Sequence, residues 1–493
     1  MRKRSLHTAL LLWTLILPWG GRLLHAQQAN TLYLMHAVPQ SNLLNPAVQI
    51  SCKYFVGIPV LSSIHLNYSN TAFTYNDLAS TDTWNIEGIS KQMHRKDLYT
   101  GGVQINLLGL GYRHKSYYFT FNLTENIRAY QTIPGEMAKM AVNGNGPVLG
   151  ETVRIDGFRP GGFHIRDYSL GVSKVFGPYL TAGIRARLLF GKANLTTGYS
   201  KVKVKTGEEN FALHMDGDYT LNASFPMTIY QDSEGNITGI EVHEIDPLDY
   251  MMNRRNVGVG VDLGLIYRYS EELTLSASVL DLALVRWRTD LNNVKGEGVF
   301  DYAGTDLNRE ITSGLLINEI LDSLSNSMDL TTSTKSYNYY LPPQVFLAAS
   351  YRYSEHISFG VVNRNVIYRS KLHSSLTLSA QAVLAAGFTG SVSWSYLNNS
   401  LLNAGVGIAW HGKGLQFHAV TDNLLGFFFP FDTRTLNLRV GMNLMLGCPR
   451  NKRERLQEDS YNYLPKGGYC PPPESQEKRL RRQKKVVRRM NKI

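Results

Sequence analysis

Five charged side chains, Arg185, Arg187, Asp262, Arg268 and Arg439, fall at positions of one parity inside segments that alternate apolar and polar residues. Successive side chains of an extended chain leave opposite faces, so all five are expected on the face opposite the apolar one. Charges gathered on such an inner face make salt bridges or set the selectivity of a lumen. A catalytic role would need partners that the sequence does not supply. No GxSxG, HExxH, P-loop or dinucleotide fingerprint stands in a usable context, and no Cys/His spacing suggests zinc. No catalytic residue, cofactor or metal site is therefore expected. The acids Glu241, Glu244, Asp246 and Asp249, in and just before HEIDPLDY, lack the spacing of a calcium loop and read as solvated acidity.

The elements that would hold these charges are strands. In Val257–Tyr269, VGVGVDLGLIYRY, the odd positions carry Val, Leu and Tyr while the even positions carry mainly Gly, Asp and Arg. Apolar residues ending in tyrosines on one side, with glycine and charge on the other, suit a wall between lipid and water. The rhythm recurs at 54–73, 103–107, 117–123, 168–172, 180–190, 273–279, 345–351, 357–361, 376–384, 392–396, 402–410, 415–419 and 436–446. That makes about fourteen strands, the even count that single-chain bacterial barrels require. Connections alternate in length. Those at 113–116, 176–178, 270–272, 354–356, 386–387 and 412–414 are tight, whereas 74–102, 129–166, 192–256 and 288–342 are long. A soluble β-sandwich could bury the same apolar face but has no reason to segregate turns from loops. The expected fold is all-β: a transmembrane outer-membrane β-barrel of about fourteen antiparallel strands, with a short N-terminal plug-like segment and a basic C-terminal tail. Both termini would face the periplasm and the long loops the exterior. Polar alternation in the 192–256 connection predicts strands continuing above the membrane. Helical spacing predicts an amphipathic helix over Asp306–Leu330.

Residues 1–26 read as a secretory signal peptide: Arg2, Lys3 and Arg4 precede an apolar run, and Leu24-His25-Ala26 offers a cleavage site. Residues 27–50 form the N-terminal periplasmic or plug segment, 51–447 the barrel, and 448–493 the basic tail. The net charge of +12 is misleading until it is located. From Cys448 onward 14 Lys and Arg face 5 Asp and Glu, a net +9, and the leader adds Arg2, Lys3, Arg4 and Arg22, leaving −1 for everything between. Lys478, Arg479, Arg481, Arg482, Lys484, Lys485, Arg488 and Arg489 would let the tail engage cell wall, anionic lipid headgroups or an acidic periplasmic protein. Nucleic acid is excluded as a partner for an exported chain, and the oligomeric state stays open. Of the three cysteines, Cys52, Cys448 and Cys470, the last two could bridge across the tail, with free thiols as the alternative.

Several stretches resemble a known family. Tyr33-Leu34-Met35, Val38-Pro39-Gln40 and Leu44-Asn45-Pro46-Ala47, then YFVGIPVLSSIHLNYSNTAFTYNDL and SASVLDLALVRW, are similar to Bacteroidota outer-membrane proteins labelled as a domain of unknown function, DUF5723. The likeness runs from Thr31 to Gly447. Asn45, Pro46 and Ala47 also resemble the N-terminal motif of a wider group of fourteen-stranded barrels, which includes the fatty-acid transporter FadL and the PorV and PorP proteins of type IX secretion and gliding. The resemblance implies outer-membrane lipid as surroundings. Together with the Gly, Ser, Asn and Arg of the inner face it suggests a channel or transporter for a small solute, hydrophobic solutes included. The alternative is a non-transporting structural, assembly or partner-anchoring component of type IX secretion, gliding or cell-surface attachment.

Overall fold

The alternating segments form fourteen antiparallel strands in the computed structural model. It describes residues 29–448, apart from 75, 77–92, 94–96, 144–145, 156, 210–211, 234–236, 303–328, 369–370, 385–386 and 398–399. In chain order the barrel strands are β1, in two pieces (Tyr54–Gly57 and Ser63–Asn70), β2 (Leu98–His114), β3 (Tyr117–Thr132), β4 (Arg159–Phe176) and β5 (Leu180–Thr206). Then come β6 (Asn256–Arg268), β7 (Leu273–Trp287), β8, also in two pieces (Tyr337–Tyr340 and Gln344–Arg352), and β9 (Ile357–Tyr368). The last are β10 (Lys371–Val383), β11 (Phe388–Leu397), β12 (Ser400–Gly412), β13 (Leu415–Thr421) and β14 (Thr435–Leu446). Proline explains the two interruptions: Pro59 lies in the first, and Pro342 and Pro343 in the second, where a ring nitrogen cannot donate to the ladder. Ile64 lies opposite Val440 of β14 and Ile105 of β2, so the first strand closes the cylinder and no edge is left open.

The outer face is apolar, as the rhythm predicts. Leu170, Val259, Val392 and Ile408 are each more than half exposed, which an aqueous surface would disfavour and hydrocarbon favours. Tyr54, Tyr112, Tyr117, Phe176, Tyr267, Tyr351 and Phe388 stand where strands meet tight turns, forming an aromatic girdle at that rim. Tyr54 and Tyr112 stack across the first strand pair with ring centres 5.3 Å apart. This is a transmembrane barrel with its tight turns on one rim and its longer connections on the other.

At 27 residues, β5 is far longer than the roughly 10 that a tilted strand needs to cross a bilayer. Its excess pairs with Leu213–Ser224, which in turn pairs with Asn293–Tyr302, so the expected extension above the membrane is present. Of the HEIDPLDY acids, Asp246 serves local structure there. Asp246 caps helix α1 (Pro247–Met252), accepting from the Leu248 N–H at 2.8 Å. The helix lies against the wall through Tyr250, whose hydroxyl meets His164 Nδ1 at 2.9 Å while His164 Nε2 meets Glu125 at 3.1 Å. Burial, and then the Glu125 charge, push the Tyr250 hydroxyl up to about 12.

Two expectations change. Cys448 bonds Cys52 rather than Cys470, joining the chain just before β1 to the chain just after β14. Strand closure brings these two positions together, a proximity that a separation of 396 residues conceals. Of the expected helix Asp306–Leu330, residues 306–328 lie outside the described residues, and Asp329 and Leu330 belong to a strand, Asp329–Ser333. The leader and the basic-tail residues Lys478 to Arg489 also lie outside the described residues.

Candidate functional site in the barrel lumen

Residues 29–53 do not precede the barrel in space; they occupy it. The segment contains a single helical turn, Asn30–Tyr33, and a 3-10 turn, Pro39–Leu43, and most of it is buried. So short an element has little helical stability of its own, so the wall must hold it. At its leading end Asp422 accepts from the Thr31 N–H at 2.7 Å and the Asn30 N–H at 3.2 Å, while Asn30 Nδ2 donates to Thr377 Oγ1 at 2.9 Å. In the middle, Leu32, Leu34, Met35, Val38 and Leu44 pack with Phe346, Val362 and Val420, and the Tyr33 and Phe346 rings stack at 4.8 Å. Gln40 Nε2 donates to Asn443 Oδ1 at 2.9 Å, and Ser278 Oγ to the Leu44 carbonyl at 2.7 Å.

The Asn45-Pro46-Ala47 motif has a fitted seat. Asn45 Nδ2 donates to the Tyr33 hydroxyl at 3.1 Å, and its Oδ1 accepts from the Ala47 N–H at 2.9 Å, closing a tight turn. That turn rests on Gly183 and Gly264. A Cβ at either position would collide with Pro46 or Asn45, so the wall needs glycine there for close approach rather than for backbone freedom.

Above this segment lies a tier of charge. Arg185 Nε donates to Asp262 Oδ2 at 2.8 Å, and its two terminal nitrogens donate to the carbonyls of Asn42 and Leu43 at 3.0 and 2.8 Å. The sequence-predicted pair thus ties strand to strand and wall to lumenal segment at once. Arg187 bridges Asp167 at 2.7 Å, Asp262 at 3.3 Å and Asp281. Arg439 donates to Ser63 Oγ at 2.8 Å and Gln104 Oε1 at 2.9 Å on the opposite side of the lumen. Arg268, near the tight-turn end of β6, stands apart from the tier, and its charge acts on His36.

The sequence reading missed Asp167, Arg128, Arg364 and Asp281. The first three share the inner parity of their strands, so extending the alternation to the strand ends would have found them. Asp281 could not be found that way. Its parity matches the outward Leu275 and Val279, but the β6–β7 register shifts between Val261 and Leu263 and Asp281 adopts φ 61°, turning its carboxylate inward. Its N–H donates to Asp262 Oδ1 at 2.7 Å, Gln344 Nε2 donates to its Oδ2 at 2.6 Å, and Gln344 Oε1 accepts from Arg364 at 2.7 Å.

Among these groups lies a cavity of about 80 Å³, lined by Arg128, Arg185, Arg187, Arg364, Arg439, Asp167, Asp262, Asp281 and neighbouring polar and apolar residues, Leu44 and Leu280 among them. Such a space holds several waters. Toward the long-loop rim the lumen becomes apolar: Tyr130, Phe163, Leu189, Val285, Trp287 and Tyr368 pack together, with the Tyr130 and Tyr368 rings stacked at 4.9 Å. From one rim to the other, the lumen is occupied by the N-terminal segment, then charge around a small cavity, then an aromatic layer.

A family model described as a family of unknown function, DUF5723, matches residues 46–422. No curated protein matches the chain. Among solved structures, a Pseudomonas aeruginosa FadL homologue aligns over 87% of this chain and 100% of its own at 10% identity and a TM-score of 0.39. The Ralstonia pickettii toluene transporter TbuX aligns over 83% and 94% at 10% identity and a TM-score of 0.38. The Pseudomonas putida toluene transporter TodX aligns over 86% and 98% at 9% identity and a TM-score of 0.37.

Proposed function

The chain belongs to the DUF5723 family of unknown function, and we propose for it the role of a gated outer-membrane channel for a small solute, closed at rest by its own N-terminal segment acting as a plug. The leader delivers the chain for export, the apolar belt holds it in the outer membrane, and both ends of the barrel chain face the periplasm.

One observation carries the reading. Among the described residues the plug is joined covalently to the barrel by the chain entering β1 beside the Cys52–Cys448 bond, while its leading end is held by hydrogen bonds to Asp422, Thr377 and Ser375. The neutral bonds exchange for bonds to water at a net cost of about 1 kcal/mol each and those to the Asp422 carboxylate at about 1.5–3 kcal/mol, so the leading end can let go without unfolding the wall. A barrel serving only as an anchor has no need for a lumen lined with Ser, Thr, Asn and Arg and filled by a separable segment.

Liposome swelling tests this. The double substitution Asn30→Ala with Asp422→Ala removes the latch and leaves the strands intact. Liposomes carrying this variant are expected to swell in an isosmotic small sugar faster than liposomes carrying the natural chain. Variant liposomes as tight as protein-free ones would contradict a channel role.

A further inference from the structure

The lumenal cavity carries more positive than negative charge: five arginines line it against three aspartates. Those aspartates engage Arg185 and Arg187 on one side. Asp422, nearby, is committed to Asn30, Thr31 and Asn437. Arg439 is different. It is only 4% exposed, makes no ion pair among the described residues, and donates to the neutral Ser63 and Gln104. Its Nε is buried with no hydrogen-bond partner. Arg128 reaches its one carboxylate, Asp281, at a long 3.5 Å.

A guanidinium taken out of water with no carboxylate in contact is unfavourable even with the charge of Asp422 nearby, and an orphaned N–H on it adds to the cost. A chain that keeps such a group facing a cavity needs an anion to complete it. We propose that this cavity binds a small oxyanion, a carboxylate or a phosphate group, held by Arg439 with Arg128 as a second donor. The planar donor fork of arginine matches paired oxygens better than a spherical halide, which favours oxyanions over chloride. At about 80 Å³ the cavity admits a group of a few heavy atoms, not a bulky solute. The proposal uses the channel reading only for the anion's way in. Binding is measured at equilibrium without conduction, so the two readings fail separately.

The test refolds the full chain in detergent in sodium phosphate, sodium acetate, sodium decanoate or sodium chloride at matched ionic strength, then follows thermal unfolding and phosphate retention. Phosphate and acetate are expected to raise the unfolding temperature above its value in chloride. A stronger response to decanoate than to acetate would identify the bound group as the head of a longer molecule, and equal responses a free anion; both keep the oxyanion site. Arg439→Gln should bind phosphate about tenfold more weakly or worse, as expected for loss of a charged hydrogen-bond donor. In chloride alone it should be at least as stable as the natural chain, because a buried cation with no carboxylate in contact is gone. Should Arg439→Gln fail to fold, Arg439→Lys, which keeps the charge but loses the fork, should bind phosphate measurably and more weakly than the natural chain. The proposal is overturned if phosphate, acetate and chloride act alike on the natural chain, or if the phosphate response survives unchanged in Arg439→Gln or Arg439→Lys.

Discussion

At the scale of single residues, one backbone angle moves a carboxylate across a membrane wall. Asp281 at φ 61° sits in a strand whose alternation would send it into lipid, where an unpaired carboxylate is prohibitive. The bulge turns it toward Arg187 and Arg128 instead. An acid on the lipid-facing parity was the sequence signal for a bulge, and it was legible only as a contradiction. His36 makes a prediction of its own. Its ring is held in the lumenal segment, where burial and then the Arg268 charge lower its pKa to about 4, and its Nε2 lacks a partner. The seated state therefore holds neutral imidazole. Because the folded value lies below the usual 6.5, the stability it contributes is complete above pH 6.5 and is lost as pH falls through 6.5 toward 4. The shift corresponds to about 3 kcal/mol. Unfolding free energies of the natural chain and of His36→Leu, measured at pH 7.5 and at pH 4.5, should show a steeper acid loss in the natural chain; parallel losses would show that His36 is not seated as described.

At the scale of elements, strand order was readable and partnership across the closure was not. Each of the fourteen strands announces itself by local alternation, and the tight turns mark one rim. Pairing of β1 with β14 brings Cys52 to Cys448, and nothing local in either segment says so. Likewise Asn45, Pro46 and Ala47 could be recognised as a motif, but their seat on Gly183 and Gly264 depends on two strands far along the chain. The disulfide pins the exit of the N-terminal lumenal segment to the barrel seam, so its loss should loosen the seam and leave the strands formed. Non-reducing peptide mapping of protein isolated from membranes is expected to recover a Cys52–Cys448 peptide. Cys448→Ser should lower stability by about 2–4 kcal/mol. A recovered Cys448–Cys470 peptide would contradict the arrangement.

At the scale of the whole molecule, the chain separates its chemistries by layer. Apolar side chains face outward, hydrogen-bonding and charged ones face inward, and an N-terminal segment that is neither strand nor loop fills the space between. The overall basicity belongs to residues 1–26 and 448–493 and says nothing about the lumen, whose own excess of arginine appears only when inward residues from several strands are brought together. The central claim is the proposal that residues 30–50 gate a membrane-spanning barrel from its tight-turn end. Planar-bilayer recording of the full chain beside a chain lacking residues 30–50, with Cys52 retained, tests it most directly. The account predicts a silent full chain and discrete conductance steps from the shortened one. A full chain that conducts as well as the shortened one would contradict it.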